Sequence, residues 1–477
     1  MWCKVLFNST PFIIFLCVVL ILIWLIRKRD YQYTILLLAS YYFYYFSTGL
    51  FLLSLLLFTS SLDFYVGKKI YEANNKRIKK YFLILSLISN LGILAFFKYT
   101  NFAIDSVNDL LILFGFNSQL PILNIILPIG ISFYTFQTMS YTLDVYFGKL
   151  KPVDSFLRYM LYVAFFPQLV AGPILRAADF LPQLGKNILF SYTNLKFGLT
   201  LVGWGIVKKV VFADNIAPLV NVIFESPTEL NSFLIILGAI GFGIQIYCDF
   251  SGYSDIAIGV AKTFGFTLPL NFNKPYFSKN PAEFWKRWHI SLSTWLKDYL
   301  YIPLGGNRKG KNRTDFNLMT TMVLGGLWHG ASWNFVIWGA YQGILLTLHK
   351  FFSRIKSISG IFIFKGIGAL IITQYFVFLG WLIFRIRDVS DLWYSIKKFI
   401  LIDFSLNGLS ILEANKLSLI FILIFLYVHY ISYKNKDVIE RIKSLDLRYW
   451  FVYVVIIVLL LLLFAPSKTS EFIYFQF

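Results

Sequence analysis

The chain has 477 residues, 58% of them hydrophobic, with a mean hydropathy of +0.67; this excludes a disordered chain and an ordinary soluble globule, whose apolar share is about 45–50%. The formal net charge of +20 does not mark a nucleic-acid partner, because the basic residues fall in short segments between apolar runs, as the positive-inside rule predicts for a polytopic membrane protein. Cys3, Cys17 and Cys248 lie in or near apolar sequence and make neither a disulfide framework nor a metal cluster.

Thr10 to Ile26 is apolar and is followed by Arg27, Lys28 and Arg29 without a small-residue cleavage site. That predicts an uncleaved first span ending in the cytoplasm, with the N-terminus outside. Tyr33 to Val66, interrupted at Gly49, predicts two compact spans returning to the cytoplasmic side. There, Lys68, Lys69, Lys76, Arg77, Lys79 and Lys80 face only Glu72. Tyr81 to Phe97 is the next span, and Phe102 to Phe114, with Asp105 and Asp109, reads as an amphipathic surface helix. Leu120 to Tyr146 contains Pro121, Pro128 and Gly130 and predicts a kinked span. Phe156 to Ile174, Leu195 to Phe212 and Phe233 to Phe250 follow, the last running into DFSGYSD. Asp249 and Asp255, set in or beside apolar sequence, read as helix caps, as partners of Lys262, or as polar groups of a functional passage.

Beyond a central stretch taken up below, Lys350, Arg354 and Lys356 form a basic loop. Ile361 to Phe384, Leu417 to Tyr433 and Tyr449 to Ala465 then predict three further crossings. No internal repeat, low-complexity tract or long linker interrupts the chain. The expectation is a single all-α membrane domain over 1–477, with roughly 11–13 transmembrane helices plus re-entrant or interfacial ones.

Residues 280–348 hold a concentration of charges, tryptophans and two of the four histidines. Asn280 suits a helix N-cap, Pro281 the first helical position, and Glu283 the capping-box position. Trp285, Trp288, His289, Leu292, Trp295, Leu296 and Tyr299 recur at helical spacing and predict one aromatic face, ended by Pro303, Gly305 and Gly306. Lys286, Arg287, Lys297 and Asp298 make this helix too polar to face lipid along its length. Asp315 to Leu348 is longer than one span of about 20 residues needs and shorter than two, so a broken helix or a shallow hairpin is expected. Gly325, Gly326 and Gly330 surround His329, and Gly326 with Gly330 allows a close helix approach. An imidazole beside broken backbone in a membrane protein is a candidate for chemistry; a buried histidine with one structural hydrogen bond is the alternative.

Gly305 to Asn312 reads GGNRKGKN. It misses the phosphate-binding GxxxxGK[ST] loop at Asn312 and follows a helix where a strand is required, which excludes a nucleotide hydrolase. Arg308, Lys309, Lys311 and Arg313 remain as a basic loop, either a topology signal or an attractor for the phosphates of a coenzyme A donor. No GxSxG, HExxH or CxxC spacing occurs, so no metal site is expected. His349 and His429, at the loop ends of spans, read as interfacial structural residues.

FWKRWHISLSTWLKDYLYIPLGGNRKG and LGGLWHGASWNFVIWGAYQG, preceded in order by FFKYTNF, LPIGISFYTFQTMSYTLDVY, FFPQLVAGPILR and YCDFSGYSDIAIG, resemble the membrane-bound O-acyltransferase family, in the branch of the bacterial alginate O-acetyltransferase membrane subunits. The resemblance implies a helical bundle with a central tunnel and 280–348 as the catalytic core segment. Within it, His329 and His289 would be the catalytic histidines, with Trp285, Trp288, Trp328, Asn334, Asp249 and Asp255 lining the tunnel and positioning substrate. It implies no bound cofactor, acetyl-CoA as donor, and an exported polysaccharide such as alginate or peptidoglycan as acceptor. An extracytoplasmic acetyltransferase of the SGNH-hydrolase type would be the partner, and the cytoplasmic membrane of a bacterium the location. The tail, 466–477, carries Phe472, Tyr474 and Phe477. Such aromatics anchor a terminus at the interface, or, as the resemblance implies, Tyr474 relays the acyl group. The alternatives are a D-alanyl transferase for teichoic acids and a transporter or flippase, which also places charges and broken helices at mid-membrane.

Overall fold

The computed structural model describes residues 7, 9–116, 118–170, 172–353, 366–403, 405–435, 438–466 and 472–473. Among them the regular structure is helical and no strand occurs. Six helices are long and apolar enough to cross a membrane: Leu50–Glu72, Lys76–Leu113, Ser232–Thr263, Gly366–Arg385, Lys416–Lys434 and Leu447–Phe464. Thr10–Leu25 is apolar but shorter. This is an all-α, multi-pass membrane protein. Burial sorts the six, because the apolar window of Ser232–Thr263 is 72% buried and that of Leu447–Phe464 only 6%. The first is therefore a core helix, and the second turns Leu459, Leu462 and Leu463 outward to lipid.

The chain forms two compact units, Met1–Gly198 with Ala257–Pro269, and Leu199–Ile256 with Leu270–Phe477. In the first, Arg29–Thr48 and Leu50–Glu72 break at Gly49, whose φ of 85° needs a residue without Cβ. The surface helix expected over Phe102–Phe114 is not separate from the span before it. Lys76–Leu113 is one continuous helix of 38 residues, since nothing between Lys98 and Asn101 breaks it and Thr100 bonds back to the Phe96 carbonyl at 2.8 Å. Nor is the kinked span over Leu120–Tyr146 a helix throughout. Leu120 to Pro128 is irregular, its backbone bonded at Leu120 by the Asn108 side chain and at Leu123 by that of Asn101. The helix begins only at Ile131, after Gly130 at φ 75°. A buried polar knot joins three helices here: Asp63 accepts from Ser86 Oγ at 2.6 Å and from Asn90 Nδ2 at 2.7 Å, and Thr138 Oγ1 donates to Asn90 Oδ1 at 3.0 Å.

In the second unit the stretch from Asp315 to Leu348 resolves as a hairpin, Lys311–His329 and Trp333–Phe352. Its seam is glycine on backbone: a Cβ on Gly326 would stand 2.2 Å from the Phe335 carbonyl oxygen, and one on Gly339 2.5 Å from that of Met322. Helix Tyr192–Ile206 continues through a π-helical turn, Val207–Ala213, into Asp214–Glu225, so the expected end at Phe212 is a wider turn and no loop. Likewise Ser232–Thr263 does not stop at Phe250. DFSGYSD lies inside the helix, which removes Asp249 and Asp255 as caps. Gly252 permits this by letting the Gly205 backbone approach, since a Cβ there would sit 2.7 Å from the Gly205 carbonyl oxygen.

Candidate active site

Asn280 caps the helix Pro281–Arg287 as its sequence predicts: its Oδ1 accepts from Glu283 N at 2.8 Å, and Glu283 reaches back to Lys279 N at 2.8 Å. The single aromatic face does not follow. The chain leaves the helix at Trp288, His289 takes a left-handed backbone (φ 42°, ψ 56°), and a new helix runs over Ile290–Leu296 into a π-helical turn, Lys297–Tyr301. The cause lies outside the motif. The segment around Asn271 and Asn273 intercepts the backbone, with Asn273 N donating to the Arg287 carbonyl and Ile290 N to the Asn271 carbonyl, each at 2.8 Å. Trp285 and Trp288 are thus separated from Trp295 and Tyr299 by the break.

A non-glycine residue in the left-handed region is uncommon and is kept only where surroundings over-determine it. At His289, which is completely buried, the side chain of Asn271 does so. Asn271 Oδ1 accepts from Ser291 N at 3.3 Å and Ser291 Oγ at 2.8 Å, and lies 3.2 Å from His289 Nδ1. An oxygen that takes backbone and hydroxyl protons is an acceptor, so Nδ1 carries the imidazole proton and Nε2 is the basic atom. Asn271 Nδ2 is in turn 3.2 Å from Ser254 Oγ.

His329 is the last residue of its helix, and the chain turns at Gly330 into the second arm of the hairpin. Its ring stands in an aromatic cage, with centroids 5.1 Å from Trp338, 5.2 Å from Trp328 and 5.6 Å from Phe384; 4% of the residue's surface stays exposed. The two imidazoles stand 6.3 Å apart, edge to face at 69°. Trp328 touches both, being 5.7 Å from His289. The 6.3 Å spacing of the imidazoles is one at which two packed rings meet edge to face, so the fold brings both histidines to one place in the aromatic cage.

The remaining predicted residues divide. Trp285 packs on Trp338 at 5.8 Å, one ring from His329, and Trp288 is buried against Phe272, Phe284 and Trp381. Asn334 donates from Nδ2 to the Phe384 carbonyl at 2.8 Å and so fixes one wall of the cage without touching the imidazole through that bond. Asp249 and Asp255 pair with Lys209 and Lys208, each at 2.6 Å, and not with Lys262, whose Nζ is 3.4 Å from Thr267 Oγ1. It is Phe250, between the two carboxylates, that reaches the site, edge-on to His289 at 4.7 Å. Arg308, Lys309, Lys311 and Arg313 are exposed around a turn held by Asn317 Nδ2 on the Gly306 carbonyl at 3.0 Å. They sit at the opposite end of the helix from His329, about 27 Å away at 1.5 Å per residue. Tyr474 and Phe477 lie outside the described residues. His429 is buried, its ring stacked between Phe277 at 5.2 Å and Phe425 at 5.0 Å. Among the described residues no group of three His, Cys, Asp or Glu could hold a metal ion.

Asn271 went unseen in the sequence, where LNFNK is only an asparagine-bearing connector; two asparagines beside a helix end were the available signal. Asn271→Leu should remove the acceptor from His289, Ser291 N and Ser291 Oγ together. The expected outcome is about 1–3 kcal/mol of lost stability and a turnover loss larger than the melting shift, measured by thermal denaturation alongside activity. Equal activity would show that the His289 tautomer is not set here.

A model of the membrane-bound O-acyltransferase family matches residues 37–389. A probable alginate O-acetylase of Pseudomonas aeruginosa is 42% identical over 346 residues, 71% of this chain and 64% of that protein. A peptidoglycan O-acetyltransferase of Helicobacter pylori is 37% identical over 390 residues, 76% of this chain and 72% of that protein. A teichoic acid D-alanyltransferase of Bacillus subtilis is 30% identical over 279 residues, 55% of this chain and 69% of that protein. The aligned part thus spans slightly less than two thirds of the Pseudomonas relative.

Proposed function

This chain belongs to the membrane-bound O-acyltransferase family, and from that premise we propose that it moves an acetyl group from cytoplasmic acetyl-CoA across the bacterial cytoplasmic membrane to O-acetylate an envelope polysaccharide. The observation that carries this reading is the pair of buried imidazoles, His289 and His329, edge to face at 6.3 Å inside an aromatic cage. His329 acts as general base: it takes the proton of an acceptor hydroxyl as that oxygen attacks the thioester carbonyl, and returns it to the sulfur as the C–S bond breaks. His289, its ring fixed by Asn271, positions the thioester by the contact of its ring edge. Trp285, Trp288 and Trp328 exclude water, which keeps the thioester from hydrolysis. Tyr474 is the acceptor hydroxyl we favour, since a phenol near pKa 10 is a better leaving group than an alkyl hydroxyl when the acetyl group moves on. An extracytoplasmic SGNH-type acetyltransferase would complete the transfer, and the N-terminus faces the same outer side.

The two O-acetyltransferase relatives align over a larger share of this chain, at higher identity, than the D-alanyltransferase does, which favours acetyl over D-alanyl. A transporter is separated by one assay: purified protein in liposomes should release free coenzyme A from acetyl-CoA when acceptor is present, and substrate movement without that release would overturn the acyltransferase reading.

Arg308, Lys309, Lys311 and Arg313 attract the donor's phosphates on the cytoplasmic side. Replacing all four by glutamine should raise the donor KM about tenfold, with little change in kcat, and flatten its dependence on salt. An unchanged KM and salt slope would leave the loop as a topology signal alone.

A further inference from the structure

A charged cluster lies beyond the two imidazoles. Lys209 Nζ stands 2.6 Å from Asp249 Oδ1 and 2.9 Å from Asp214 Oδ1; Lys209 and Asp249 are each 2% exposed. Lys209 belongs to the π-helical turn Val207–Ala213, and the extra residue of such a turn re-aims side chains. The neighbouring Lys208 is buried as well, on Asp255 at 2.6 Å and Ser251 Oγ at 3.0 Å. One cation between two carboxylates leaves Asp249 with acceptor capacity to spare, and its Oδ2 accepts from the backbone N–H of Ile473 at 2.6 Å. The donor comes from the far end of the chain. Phe472 beside it is fully buried, its ring 4.2 Å from Tyr253 and 5.8 Å from Phe250, and Phe250 is the ring set edge-on to His289.

Chain ends fray unless something ties them down. Here the tie is a charge-assisted bond to a main-chain N–H, which fixes the path of the backbone whatever side chain Ile473 carries. The aromatic slot then fixes depth, because the Phe472 ring fills the space between Phe250 and Tyr253. A buried ion pair is weak evidence of a stabilising role, since hydrophobic residues of equal volume often hold a fold as well. Coupling the pair to the chain terminus gives it a purpose that packing alone does not.

We propose that Asp249, held in place by Lys209, is a positioning residue for the C-terminal tail, docking Ile473 so that the tail becomes a wall of the acyl-transfer site beside His289. This rests on the acyl-transfer reading above and deepens it. Asp249 touches neither thioester nor acceptor; it acts through the tail.

The test uses the full-length protein with Ile473→Pro, which deletes the N–H and spares the ion pairs, and Phe472→Ala, which empties the slot. Tail docking is read as the rate at which trypsin, cutting after Lys468, frees the C-terminal peptide. Both variants should free it at least tenfold faster and lower kcat for acetyl transfer at least tenfold, with the donor KM and the melting temperature of the membrane body unchanged. Ile473→Ala, which keeps the N–H, should keep the peptide bound as in the wild type. Release from Ile473→Pro as slow as from the wild type overturns the docking bond; rapid release with wild-type kcat overturns its role in transfer. Wild-type protein that releases no coenzyme A overturns the acyltransferase reading itself, while a faster peptide release in Ile473→Pro still upholds the docking.

Discussion

His329→Ala should lower acetyl-CoA-dependent turnover about 10²–10⁴-fold, the range for losing a positioned general base, while the protein remains folded in the membrane. The two halves of that expectation have separate causes. The chemical loss follows because the neighbouring imidazole, His289, has its ring fixed through Nδ1 by Asn271 and cannot swing its basic Nε2 into the place that His329 leaves. The fold is retained because the hairpin is held by the Gly326–Gly339 backbone seam, which the substitution does not touch. Coenzyme A release and size-exclusion behaviour of the same preparation check both halves, and turnover near the wild-type rate would remove His329 from the mechanism.

Lys209→Met should be the most damaging single change to stability. It leaves Asp214 and Asp249 buried near each other with no cation between them, and breaking a buried pair from one side costs about 3–5 kcal/mol. Thermal unfolding in detergent should show a drop of several degrees. Adding Asp214→Asn and Asp249→Asn to Lys209→Met should recover part of it, because the penalty lies in the uncompensated carboxylates and not in the missing ammonium. A Lys209→Met protein that melts like the wild type would mean that the cluster is not charged as a buried pair requires.

Much of the architecture is legible in the residues, and the misreadings have a common form. Apolar runs and the basic segments between them mark an all-α membrane protein, and Asn280–Pro281–Glu283 spells a helix start that the backbone obeys. Periodicity then fails at Trp288 and His289, because helical spacing is a local rule and the break is imposed by Asn271 and Asn273, more than a dozen residues upstream. The same applies to Asp249 and Asp255. Gly252 suggests a helix end locally, yet the helix persists because another backbone packs against that glycine. Asn108 looks like a neutral position of a surface helix and Asn101 like a residue just before it, and only the structure shows them holding an irregular segment. In the candidate site, His329 and Trp328 stand out by spelling, whereas Trp338 and Phe384 look like ordinary span residues until the hairpin brings the first, and the helix Gly366–Arg385 the second, to the imidazole.

The backbone at residue 289 narrows what natural variation can write there. An occupant must tolerate positive φ, which disfavours valine, isoleucine and threonine most strongly, and must also give a proton to an amide oxygen, which glycine cannot. Histidine and asparagine satisfy both demands at once, so the repertoire at this position is set by main-chain geometry before any chemistry is selected.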